Sequence, residues 1–345
     1  MKEKLLSIAW EVHRCIWERF VHPETNMLKT RLGEGDPLED CSLYGGFYLA
    51  CLVDAYAATR EERFVAEARR IFEGLRLNAT ASGIPGFLAR GVAEDGTYRG
   101  EPSVDQYTGF MYGCWRYFHS PLSGRTERED IRRFFTDILS RLEANAWKIT
   151  REDGTVTKFG HLDALRPTRA ERLLAFLRAG YEVTGDGHWL ENYRQVLAAR
   201  LHHCRNYTGT PSWVGIQSQV SLQMLIALED DPEVGKAFVE GACNLAEVCR
   251  PQMEALHQVP PGTAKQAPFP FYRSPLFTET IRNPLEAVTV LLLTEEQAFR
   301  REATATLDEI RERLDLKLLS FAWALVPWEW DLWLALRSRR PFGDW

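Results

Sequence analysis

A chain of 345 residues, 45% hydrophobic and 26% charged, has the composition of a globular protein able to bury a large core. Its formal net charge of -6 gives no electrostatic footprint for nucleic acid or an anionic membrane, so neither is expected as a partner. The seven cysteines are odd in number and include no CxxC pair; they read as reduced thiols, which argues against a disulfide framework and for a cytoplasmic setting.

The N-terminal segment MKEKLLSIAWEVHRCIWERF is charged throughout and reads as a helix, not a signal peptide. No stretch is expected to reach the length of a membrane span. Helical periodicity then governs the chain. Residues 4–20 put Leu5, Ile8, Ala9, Ile16 and Phe20 on one stripe, 43–59 are apolar almost all round, and 61–77 are amphipathic. Residues 104–118 are apolar and aromatic, and 126–147 are amphipathic again. The pattern continues over 168–184, 187–204, 214–229, 232–249, 283–293, 295–314 and 328–338, which makes about twelve helices. Strand signals are short, as around Thr155–Lys158.

Two kinds of helix alternate. One has no polar face and must be buried on every side; the other must meet water. An inner ring wrapped by an outer ring satisfies both, so the predicted fold is an all-α, six-hairpin α/α toroid forming a single domain over residues 1–345. A short internal repeat agrees with this. Tyr44 to Cys51 and Tyr107 to Cys114 both read YxGFxxxC, 63 residues apart, and Gly46 and Gly109 would let inner helices approach closely. Long connections, about 30–42, 78–103, 148–167, 205–213 and 250–282, precede the buried helices, so one end of the toroid should carry the site.

The candidate residues gather where such loops meet buried helices. Asp105 lies in Ser103-Val-Asp-Gln106-Tyr107, at the start of an apolar helix. It is either a first-turn capping carboxylate or a desolvated acid whose pKa rises until it can donate a proton. Arg90 ends a turn-rich segment and either grips a substrate carboxylate or bridges to Glu94, Asp95 or Asp105. Trp213 and Gln217 open another buried helix and suit a sugar ring and its hydroxyls; Gln219 shares that helix. His161 and Asp163 form an isolated HxD, too little for a metal site, and no metal or cofactor is expected. Trp328, Glu329, Trp330 and Asp331 interleave aromatic and acidic groups at the start of the last helix, which suits either sugar binding or capping. Residues 266–273, a Pro-aromatic loop, are a candidate rim. No GxSxG, P-loop or HExxH motif occurs.

The alternating helices, with VDQYTGFMYG opening an inner one, resemble the unsaturated glucuronyl and rhamnogalacturonyl hydrolases among the six-hairpin glycosidases. In those enzymes an Asp in a V-D-x-L-Y-M-G-like segment is the general acid/base. The resemblance implies that role for Asp105, with Gly109 near the family glycine. Here the spacing differs by one residue, and Tyr-Thr replaces Leu-Tyr-Met. Asp40, ahead of another inner helix, is the candidate second carboxylate. The expected function is hydrolysis of a small oligosaccharide, with an unsaturated uronic acid end implied by the resemblance. Tyr44, Arg90, Gln106, Tyr107, His161, Asp163, Trp213, Gln217, Trp328 and Trp330 are the expected substrate-binding residues. A lyase or epimerase using His161 and a tyrosine, or a non-catalytic sugar- or protein-binding toroid, are the other readings of the same residues.

Overall fold

The computed structural model describes residues 2–32, 38–258, 281–316, 319 and 321–337. The Pro-aromatic segment 266–273 lies outside the described residues. Twelve α-helices occur among them: α1 (Lys2–Arg19), α2 (Cys41–Thr59), α3 (Arg63–Thr80), α4 (Val104–His119), α5 (Arg125–Ala144), α6 (Ala170–Thr184), α7 (Gly187–Arg200), α8 (Ser212–Leu228), α9 (Pro232–Glu254), α10 (Asn283–Leu293), α11 (Gln297–Arg313) and α12 (Ala322–Leu336). The even-numbered helices form the inner ring. Each packs on the next, and α12 packs back on α2 to close the circle. The odd-numbered helices wrap the outside, with α1 against α12 and α3 against α2. This is the α/α toroid expected from the alternation.

Burial follows the sequence pattern. Every residue of α2 from Cys41 to Ala55 is buried, whereas α3 buries only a stripe that includes Phe64, Ala68, Ile71, Phe72 and Leu75. By length and composition α2 would cross a membrane, contrary to the expectation that no stretch would; here it is an inner helix, with 83% of its apolar window buried. The YxGFxxxC repeat has a packing cause. A Cβ added at Gly109 would meet the Leu43 carbonyl oxygen at 2.2 Å, one at Gly46 would meet the Gly109 carbonyl, and one at Gly113 the Gly46 carbonyl at 2.2 Å. Only glycine permits this backbone-to-backbone contact of α2 with α4.

Short connections join the inner helices to the outer ones that follow. Gly185, with φ of 74°, ends α6, and Asp186 caps α7 by accepting from the His188 amide. Asp231 caps α9 in the same way, with Pro232 in the first turn. Long connections lead into the inner helices, so all six begin at one end, the mouth. One of these connections holds β1 (Lys148–Thr150) antiparallel to β2 (Val156–His161).

The opposite end is closed by buried charge. Asp54 of α2 takes Arg116 of α4 at 2.8 Å, Arg337 at 3.1 Å and the Trp330 indole N–H at 2.8 Å. Burial works against that charge, but Arg116 and Arg337 outweigh it and hold the carboxyl below its ordinary range.

The last helix departs from expectation. It begins at Ala322 and runs through Pro327, which cannot donate the backbone hydrogen bond of a helix interior. Trp328 to Asp331 therefore sit inside the helix, fully buried. Trp330 donates to Asp54, and Glu329 accepts from Trp333 and pairs with His13 at 2.9 Å. Trp328 and Trp330 are thus core residues beyond the reach of a sugar, and Glu329 is neither a cap nor a surface ligand. The aromatic–acidic run expected at the helix start thus lies in its interior.

Candidate active site at the mouth of the ring

Asp40 immediately precedes α2 and Asp105 lies in the first turn of α4. The close α2–α4 packing brings them into one site. Gln106 of α4 donates to Asp40 at 2.6 Å, and its carbonyl oxygen accepts from Ser103. Ser103 therefore orients Gln106 rather than capping the helix. Arg90 pairs with Asp40 at 2.6 Å and also donates to the backbone carbonyls of Glu39 and Glu101. Of its two expected roles the intramolecular bridge is the one present, with Asp40 as the partner. All three of its nitrogens are used, so Arg90 builds the site wall.

Asp40 is 17% exposed. Burial raises its pKa, Arg90 and Arg282 pull against that, and the charge of Asp105 adds to the rise. Asp105 is 26% exposed and accepts from Arg172 of α6 at 2.8 Å, with Arg169 at 4.0 Å.

A second cluster adjoins Asp40. Tyr44 of α2 donates to Glu286 of α10 at 2.7 Å and accepts from Arg282 at 3.0 Å, while Arg282 pairs with Glu286 at 3.2 Å. Burial raises the Glu286 pKa against the pull of Arg282 and Tyr44. The Arg282 guanidinium lies 5.3 Å from the Trp213 ring and 4.9 Å from the Trp323 ring. Trp213 thus stacks, as its position suggested, but on an arginine of this chain.

The remaining expected residues are placed as follows. Tyr107 is buried and donates to the Gly86 carbonyl at 2.9 Å, fastening the glycine-rich loop to α4. Gln217 is buried and donates to the Trp213 carbonyl at 3.1 Å. Gln219 reaches Thr294 at 2.9 Å. His161 and Asp163 lie on the β-hairpin side, 3.4 Å apart, with His161 55% exposed. His13, His22, His119, His161, His188 and His257 each pair with a carboxylate other than Asp40 and Asp105. His202 and His203 lie against each other in the turn after α7.

Sequence reasoning passed over Arg169, Arg172, Arg282 and Glu286. A usable signal existed. Arg172 and Glu286 lie in largely apolar helix segments that are buried, and a charge there needs a partner or a ligand. No group of three or more His, Cys, Asp or Glu that could hold a metal occurs among the described residues.

No protein-family model matches the chain, and no curated protein matches it in sequence. Solved structures share its fold. A sugar epimerase from a ruminal bacterium matches with a TM-score of 0.56 and 11% identity, over 88% of this chain and 87% of that one. The cellobiose 2-epimerase of Spirochaeta thermophila matches with a TM-score of 0.55 and 11% identity, over 97% of this chain and 98% of that one. The chain thus shares with these two epimerases the α/α toroid over nearly its whole length, at an identity that establishes architecture alone.

Proposed function

We propose that this chain is a carbohydrate-active enzyme working from the mouth of the ring, with Asp40 and Asp105 as its proton-transferring pair and glycosidic hydrolysis as its reaction. The observation that carries this is the convergence of the two carboxyls at the starts of neighbouring inner helices. Asp40 is desolvated and hydrogen-bonded to Gln106; Asp105 is ion-paired to Arg172 and open to solvent. Two carboxyls held in unlike environments suit opposite roles. Asp40 protonates the departing sugar oxygen, and Asp105 activates the water that replaces it. Saccharide as the ligand class is supported by the fold neighbours, both described as acting on sugars.

Those neighbours also favour a second reading, epimerisation, in which the same carboxyls remove and return a proton at a sugar carbon. Incubating the protein with a panel of saturated and unsaturated oligosaccharides and analysing the products separates the two. New reducing ends, or a released unsaturated uronic acid, support hydrolysis; an isomer of unchanged mass supports epimerisation. Absence of any product across the panel contradicts both and leaves a binding module.

A further inference from the structure

Behind Asp105 lies a set of buried polar atoms that the acid–base pair does not use. Arg172, in the first turn of α6, is wholly buried. Its Nη1 donates to Asp105, but its Nε and Nη2 have no hydrogen-bond partner. Those two nitrogens form one edge of the guanidinium, the edge that holds two oxygens side by side. Arg151 uses that edge on Glu101, at 2.7 and 2.8 Å, and Arg311 uses it on Glu11, at 3.3 and 3.0 Å. In Arg172 the same edge is complete and unused.

The surroundings are polar and equally unsatisfied. The hydroxyls of Tyr207 and Ser218 and both oxygens of Glu171 are buried without a well-formed hydrogen bond, although Ser218 stands close enough to act on the Glu171 carboxyl. Glu171 and Arg172 both act on Tyr207. Glu171 does not fill the arginine edge, because adjacent residues on a helix point apart. Burial raises the Glu171 pKa, against the pull of Arg172 and Ser218. Arg169, three residues earlier and 13% exposed, adds a second cation toward solvent. Burial and Arg172 lower its pKa only to about 10, so it stays charged at neutral pH.

We propose that these residues bind an oxyanion carried by the sugar substrate, a carboxylate or a phosphate, gripped by the Nε–Nη2 edge of Arg172 with Arg169 at its outer side. The inference rests on the mouth being a saccharide site, and it sets the anionic group beside Asp105. Calorimetric titration with glucuronate, glucose 6-phosphate and glucose tests it without requiring turnover. The expected result is that at least one charged sugar binds about tenfold or more tighter than glucose, a difference typical of a charge-assisted bidentate contact. Arg172→Gln abolishes that preference, Arg169→Gln weakens it, and Asp40→Asn keeps it. Which charged sugar is preferred identifies the oxyanion. Equal binding of charged and neutral sugars, no binding of either charged sugar, or a preference unmoved by both arginine variants overturns the proposal. If Arg172→Gln does not fold, Arg169→Gln decides alone. Anion binding without turnover contradicts only the catalytic reading; turnover of neutral saccharides without an anion preference contradicts only this one.

Discussion

Asp40 and Asp105 differ in what surrounds them, and that difference sets the expected pH behaviour. Asp40 is raised by burial. A general acid works while protonated, so activity falls as pH rises through the Asp40 pKa. Arg90 opposes the rise, so Arg90→Gln moves that alkaline limb to higher pH in a pH–rate profile; a limb that stays in place, or moves down, contradicts the assignment. His13 offers a separate test that concerns stability. Burial of its ring works against the charge, but Glu329 and Glu67 outweigh it and raise the pKa from 6.5 to about 9. Stabilisation from this pairing is fully present below pH 6.5 and is lost as pH rises through about 9. Urea midpoints should therefore decline over that interval, and His13→Gln should flatten the decline. Sequence pattern made Asp40 and Asp105 visible because each borders a buried helix, and Arg90 because it ends a turn-rich loop segment. It did not reveal that Arg90 would be spent on Asp40, since the two lie 50 residues apart and only the ring brings them together.

At the scale of elements, the contact of α2 with α4 is the joint on which the site depends. Gly109→Ala would drive a methyl group into the Leu43 carbonyl. The cost should be about 1–3 kcal/mol or more, the usual range for overpacking, and should appear as a lower melting temperature. Gly187, whose added Cβ would meet nothing within 4 Å, is the control; Gly187→Ala should leave stability within about 0.5 kcal/mol of native. Equal losses at the two positions would contradict the packing account. The alternation of buried and amphipathic helices was legible because an inner helix such as α2 has no polar face at all. The start of α12 was not, because Pro327 imitates a boundary that the helix passes through. The interleaved Trp and carboxylate residues suited sugar binding, but the Trp328 and Trp330 indoles lie in the core.

At the scale of the molecule, the two ends of the ring are built differently. The far end is locked by Asp54 between Arg116, Arg337 and Trp330, all drawn from the ends of inner helices or just beyond them. Asp54→Asn takes a counter-charge from buried Arg116, while Arg337 keeps Glu295 at 2.7 Å, and should cost about 3–5 kcal/mol. Because the Asp54 pKa is depressed, its contribution is present above the unfolded carboxyl pKa and lost as pH falls through the folded one; chemical denaturation across the acid range checks this. The mouth instead leaves Asp40, Asp105, Arg90 and Arg169 partly open to solvent. The toroid could be read from sequence because its cause is repeated in every hairpin. The mouth chemistry could be read only in part, because Arg172 comes from one hairpin and Arg282 with Glu286 from another, with no shared motif.

The most direct test of the catalytic claim is to compare Asp40→Asn, Asp105→Asn and the native protein on the same saccharide panel, with circular dichroism confirming equal helix content. Loss of about a hundredfold or more in both variants, with the native protein active, is the predicted result. Native activity that survives in either folded variant would contradict the assignment of the two carboxyls as the proton-transferring pair.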